Sequence, residues 1–135
     1  MTLDEITNFA ENYTVAWCSA DPERVSACFS EHAILYVNAE PASGRNAITD
    51  VARGFMTAFP DLELRMDALD FDGDKAIYHW RFIGTNTGPD GTGKAVNFTG
   101  SETWTFDADG LIEKSVGSFD NNEYERQLKF GVVNS

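Results

Sequence analysis

One carboxylate stands where a strand pattern requires an apolar side chain. Between Val96 and Phe106, the residues Val96, Phe98, Gly100, Trp104 and Phe106 share one face of an alternating run, while Asn97, Thr99, Ser101, Thr103 and Thr105 share the other. Glu102 falls on the apolar face. A carboxylate there is costly unless it is protonated, hydrogen-bonded or wetted by a cavity, and burial among Phe98, Trp104 and Phe106 raises its pKa toward the range in which a group both takes and gives protons. Tyr13, on the apolar stripe of a helix, is able to approach it, and a buried carboxylate with a hydroxyl opposite suits acid/base chemistry. Two other readings stand beside this one: the same groups as polar anchors for an apolar ligand without turnover, and a structural Glu102 that pairs with Arg81 or Arg65 or bonds Tyr13.

Other chemistries find weaker patterns. Cys28 and His32 are four residues apart, but two residues do not make a metal site and His32 follows the helix. The run Gly88-Pro89-Asp90-Gly91-Thr92-Gly93-Lys94 matches most of a phosphate-binding loop, yet Ala95 stands where Ser or Thr must reach the metal, and the run leads into a strand rather than a helix. His79 falls on the outer face of its strand and is expected at the surface or between subunits. The site is therefore expected to use neither metal nor cofactor.

The elements that position these residues follow from periodicity and punctuation. Thr2 with Glu5 caps a first helix over about Leu3 to Ala20, whose apolar stripe carries Ile6, Phe9, Ala10, Tyr13, Ala16 and Trp17. Asp21-Pro22-Glu23 starts a short second helix through Val25 and Phe29, and Ala33 to Val37 reads as a strand. Glu40 to Gly44 is a loop by composition, and Ile48, Val51, Ala52, Phe55, Met56 and Phe59 trace a third helix that ends before Pro60. Long strands then follow: Leu62 to Phe71 with a bulge at Asp67-Ala68, Ala76 to Thr85, Val96 to Phe106, and Leu111 to about Asp120. The tail after Leu128 is expected to be loosely held. Helices followed by an antiparallel meander make an α+β chain, able to curl a bent sheet around a helix.

A length of 135 residues and a hydrophobic fraction of 42% fit one domain, residues 1–135, with a core of its own. A formal net charge of −12 opposes nucleic acid and anionic membranes as partners. The N-terminus lacks the pattern of a secretory signal, so the expected location is cytoplasmic, with Cys18 and Cys28 as buried free thiols. Ile77 and Ile83, opposite Tyr78, Trp80 and Phe82, suggest a homodimer through the outer sheet face.

Several stretches resemble a known family. Tyr13 through Asp21, Phe29, Ser43-Gly44-Arg45-Asn46-Ala47-Ile48, Phe59-Pro60-Asp61, Gly84-Thr85-Asn86-Thr87-Gly88 and Gln127-Leu128 resemble the SnoaL-like polyketide cyclases of the nuclear-transport-factor-two-like superfamily. The resemblance implies a curved, mainly antiparallel mixed sheet wrapped around the long first helix as a cone, with a small-molecule pocket and usually a dimer. From the helices that pocket would take Trp17, Phe55 and Phe59, and from the strands Tyr78, Trp80, Phe98, Trp104 and Phe119. Tyr13 resembles the tyrosine that donates to an oxyanion in ketosteroid isomerases, and Glu102 takes the place of their second oxyanion donor. Their proton-shuttling base falls at Val37 or Asn38, which rules against that isomerisation. In the cyclases the last strand carries two acids; here Gly117 replaces the first, and Asp120 remains as a third candidate catalytic group if the strand end turns inward.

Overall fold

The computed structural model describes residues 1–132, and each element begins or stops for a readable reason. Helix α1 (Leu3–Trp17) opens on a reciprocal capping box: Glu5 N–H donates to Thr2 Oγ1 at 3.2 Å and Thr2 N–H donates to Glu5 Oε1 at 3.0 Å. It stops short of Ala20, which is left-handed with φ 59° and cannot continue a helix. Asp21 caps α2 (Pro22–Ser26). This helix is shorter than expected, so Phe29 opens strand β1 (Phe29–Val37) instead of closing the helix.

The stretch Glu40–Ser43, expected as a loop, is strand β2 and pairs antiparallel with β1. Val37 faces Glu40 across a two-residue turn in which Asn38 (φ 49°) and Ala39 (φ 74°) are both left-handed, the geometry that joins twisted strands tightly. Pro41 is tolerated because β2 is an edge strand. Helix α3 (Arg45–Ala58) then leads to β3 (Glu63–Phe71), β4 (Lys75–Thr85), β5 (Ala95–Phe106) and β6 (Ile112–Phe119). The bulge anticipated in β3 is present, as a register shift between Met66 and Ala68.

The six strands form one sheet in the order β2-β1-β6-β5-β4-β3. All neighbours are antiparallel except β1 and β6, which run parallel with Ile34 opposite Lys114 and Val37 opposite Gly117. The expected α+β architecture, a mixed sheet around the N-terminal helix, is what the chain adopts. Phe9 of α1 meets Trp104 and Phe106 of β5 edge-on at 5.5 and 5.3 Å, so α1 lies against the inner face of the sheet. Trp80 lies across Gly100, where a Cβ would come within 2.3 Å of the indole ring; only glycine lets that ring fold over β5.

Asp120 ends β6 and caps a fourth helix, α4 (Asn121–Phe130), beyond the last element expected from the sequence. Tyr124 of α4 packs on Phe98 at 4.9 Å and Phe119 at 5.6 Å. Gln127, nearly fully buried, accepts from the Asn97 N–H at 2.7 Å and donates to the Asn97 carbonyl at 3.1 Å, serving backbone groups of β5 beyond the last β6 pairing at Gly100. The tail expected after Leu128 is thus helical as far as Phe130; residues 133–135 lie outside the described residues. Of the two thiols expected to be buried, Cys18 is exposed at the end of α1, with Sγ at 3.3 Å from the backbone of Leu64. Cys28 is partly buried, which pushes its thiol up to about 11. No helix among the described residues is long and apolar enough to cross a membrane.

Candidate functional site

Register brings the site together. On β5, Glu102 lies opposite Tyr78 of β4 and Gly117 of β6, pointing inward toward α1. Its Oε1 accepts from Ser115 Oγ at 2.7 Å, Tyr13 OH at 2.9 Å and Trp104 Nε1 at 3.2 Å; Oε2 accepts from Tyr13 OH alone, at 3.0 Å. Among the described residues no cation shares the site. Arg81 is held by Asp67 and Asn97, and Arg65 by Glu63, so the ion-pair form of the structural reading is overturned while the Tyr13 bond is present.

The electrostatics oppose one another. Burial raises the Glu102 pKa, while hydrogen bonds from Ser115, Trp104 and Tyr13 lower it; burial prevails, and the pKa lies above its ordinary 4.5. Burial first, and then the Glu102 charge, push the Tyr13 pKa well above 10.0, so Tyr13 keeps its proton and donates. Its ring is fixed edge-on by Trp104 at 5.0 Å and Tyr78 at 5.4 Å.

Beside this carboxylate lies a cavity of about 60 Å³, lined by Tyr13, Glu102 and the expected Trp17, Phe55, Trp80, Phe98 and Phe119. It is small beside the ~300–1,000 Å³ of pockets that enclose drug-sized ligands, so a larger guest requires wall rings to turn. Three expected lining residues sit elsewhere. Tyr78 and Trp104 stack at 4.8 Å, both fully buried, and the Tyr78 hydroxyl is taken by Thr14. Phe59 packs in the core between Phe82 and Tyr124. In their place Leu35, Val37, Val51, Leu64 and Phe82 complete an apolar wall. Their signal was in the sequence, since Leu35 and Val37 alternate along β1 and Val51 precedes Phe55 by one helical turn.

Ser115 is a further candidate residue at this group. Strand parity places it inward with Gly117 and Phe119, but its hydroxyl becomes informative only once the β5–β6 register sets it beside Glu102. At Gly117 a Cβ would lie 2.9 Å from the Tyr36 carbonyl oxygen and 3.5 Å from Glu102 Cγ; the strands approach too closely for an acid there without adjustment. Asp120 is not brought to this group. It is exposed, and its Oδ1 accepts from the N–H groups of Asn122 and Glu123 as the cap of α4, so the strand end does not turn inward and the condition for Asp120 as a third catalytic group is not met. Val37 lines the cavity, and Asn38 is turned away to accept from the Phe119 N–H at 2.9 Å. His79 pairs with Asp70 at 2.9 Å on the outer face. Among the described residues no group of three His, Cys, Asp or Glu is placed to hold a metal ion.

Known structures share this arrangement of elements. TsrD from Streptomyces laurentii is 22% identical, with 95% of this chain and 97% of that one covered and a TM-score of 0.80. A candidate SnoaL-like polyketide cyclase from Jannaschia sp. CCS1 is 13% identical, with 93% and 92% covered and a TM-score of 0.79. A hypothetical protein with a ketosteroid isomerase-like fold from Catenulispora acidiphila DSM 44928, in complex with trimethylamine, is 12% identical, with 89% and 88% covered and a TM-score of 0.73. At these identities the likeness is one of fold. No curated protein matches the sequence. The family model described as the SnoaL-like domain matches residues 10–114, the span from mid-α1 to early β6 that holds Tyr13 and Glu102, and the chain belongs to that family.

Proposed function

We propose that the chain is a small acid/base enzyme acting on an apolar carbonyl compound held in the cone's cavity, with Glu102 as the group that takes and returns the proton. One observation carries this reading: Glu102 is a buried carboxylate at a cavity wall with its pKa raised and, among the described residues, no countercharge and a single hydrogen bond to its Oε2. Ionised Glu102 would remove a proton from the carbon beside a carbonyl, and the neutral acid would return it to the same or another carbon of the resulting enolate. Tyr13, Ser115 and Trp104 hold the carboxylate in place through both states. Polyketide-like substrates are rich in such acidic C–H bonds, and a solved neighbour is a candidate cyclase of that kind.

The test is solvent hydrogen exchange. In deuterated buffer the protein should speed exchange at the α-carbons of a small cyclic ketone such as cyclohexanone, and Glu102→Gln should reduce that acceleration by about 10²–10⁴-fold, the usual contribution of a general base. Equal rates with both proteins would sink the enzyme reading.

A non-catalytic reading is favoured by one specific feature. An uncompensated carboxylate beside the rings of Trp17, Phe55, Trp80 and Phe98 suits a small alkylammonium ion, which pairs with the charge and lies on aromatic faces. A neighbour of this fold carries trimethylamine. The two readings part on titration: trimethylammonium in the cavity would lower the Glu102 pKa, and a neutral ketone would not.

A further inference from the structure

We infer that Trp80 sets the size of the ligand that the cavity admits, because its indole ring fills a gap in the wall that a bare glycine leaves open. The inference rests on the carbonyl reading above and narrows the ligand to a carbonyl compound no larger than a single ring. Register shows where the gap lies. One inward row of the sheet runs Met66, Trp80, Gly100 and Phe119 across β3, β4, β5 and β6, and Gly100 is its one member without a side chain. The next inward row carries Tyr78, Glu102 and Gly117. The gap therefore lies two residues along β5 from Glu102, on the same face of the sheet.

Trp80 occupies it. The residue lines the cavity and is only 9% exposed, whereas Gly100 does not reach the cavity. A Cβ on Gly100 would lie 2.3 Å from Cζ2 and 2.6 Å from Cη2 of the indole, so the far end of the ring stands over the glycine. The same Cβ would lie 2.6 Å from the Ser118 carbonyl oxygen, so β5 cannot fill the gap with a side chain of its own. The ring is wedged there by its neighbours, Phe98 edge-on at 5.6 Å and Phe119 at 5.9 Å. A side chain too short to cross from β4 to β5 would return that space to the cavity, because the surroundings of a truncated residue collapse only in part.

Volume decides what this means for a ligand. At about 60 Å³ the cavity is under half the ~150 Å³ of an apolar cavity that encloses benzene. The wall is half-buried at Val37, Val51 and Phe55, the side on which the cavity nears the surface, and a single ring can keep part of itself there. A fused second ring finds inner space only where Trp80 stands, and otherwise stays in water.

The experiment compares cyclohexanone with 2-decalone, which adds a fused ring to the same carbonyl, by chemical-shift titration. Native protein should bind cyclohexanone at least as tightly as 2-decalone. Trp80→Leu should move the preference toward 2-decalone by about ten- to hundredfold, the worth of four further carbons leaving water, and Trp80→Phe should move it less. Phe55→Leu, which opens the wall on its surface side, should change both affinities together and leave their ratio. A Trp80 that only stabilised the fold would lower the melting temperature of its variants without moving that ratio. If the ratio stays put in both Trp80 variants, or if Phe55→Leu moves it as far, the size assignment is overturned and the carbonyl pocket survives. If neither ketone binds any of these proteins, the carbonyl reading falls and the size limit falls with it. Native protein supplies a readout even where the Trp80 variants fail to fold: the Gly100 Hα resonances, shifted by the ring current of the indole beside them, should hold their positions when cyclohexanone binds. Their return to ordinary glycine positions would show that the indole turns away for a single ring, and would overturn the assignment.

Discussion

At the scale of residues, the balance around Glu102 has a sign that can be measured. Because its native pKa is raised, the folded state keeps a proton at a pH where the unfolded chain has released it. That stabilisation is complete below the unfolded pKa of about 4.3 and is lost as pH rises through the native pKa. Glu102→Gln cannot titrate and keeps a carbonyl acceptor for Ser115 and Trp104, so melting temperatures measured across this window should show native protein losing stability relative to the variant as pH rises. Parallel curves would mean that Glu102 has an ordinary pKa. Tyr13→Phe should raise the Glu102 pKa further, because it removes a hydrogen bond that favours the anion, and should cost about 1–3 kcal/mol at neutral pH as the carboxylate loses a donor. A carboxylate-resolved NMR titration reads the shift. Glu102 and Tyr13 were legible in the sequence because each stands out against a periodic pattern: a carboxylate on an apolar strand face, and a tyrosine on a helix stripe. Ser115 was not, since serine is unremarkable on a strand until its cross-strand neighbour is known.

At the scale of elements, the long periodic segments were readable and the short or mixed ones were not. Helix α4 escaped because it is only ten residues long and mostly polar, although Asp120 followed by Glu123 has the spacing of a capping signature. Missing it also misplaced Asp120, whose carboxylate looks catalytic only while no helix needs a cap. Asp120→Ala should therefore cost about 1 kcal/mol, the usual worth of an N-cap, and leave both the Glu102 titration and any ketone exchange unchanged. A loss of exchange at full stability would return Asp120 to the site. Strand β2 escaped because Pro41 argues against a strand, and only the hairpin turn at Asn38-Ala39 reveals it as an edge.

At the scale of the whole molecule, the outer sheet face carries the argument for assembly. Val116, Thr103 and Ile77 lie side by side across β6, β5 and β4, and Val116 is 45% exposed. We propose that two copies meet through this face. Each copy carries a net charge of −12, so sedimentation at micromolar concentration should find association strengthened as salt is raised from about 0.01 to 0.15 M, which shortens the Debye length from about 30 to 8 Å. A monomer at both salts would count against the face. The parallel pairing of β1 with β6 bears on a different matter, the order of assembly in time. Ile34 finds Lys114 and Val37 finds Gly117 only after the intervening chain has been made, so the cavity wall contributed by Leu35 and Val37 has only the short hairpin strand β2 as a partner until late in synthesis. Such distant pairing is slow to form, because loop-closure entropy must be overcome before any contact rewards it. Glu102 must wait for the same strand, since Ser115 arrives with β6; until then a carboxylate bound for the interior stays in water, where its charge costs nothing.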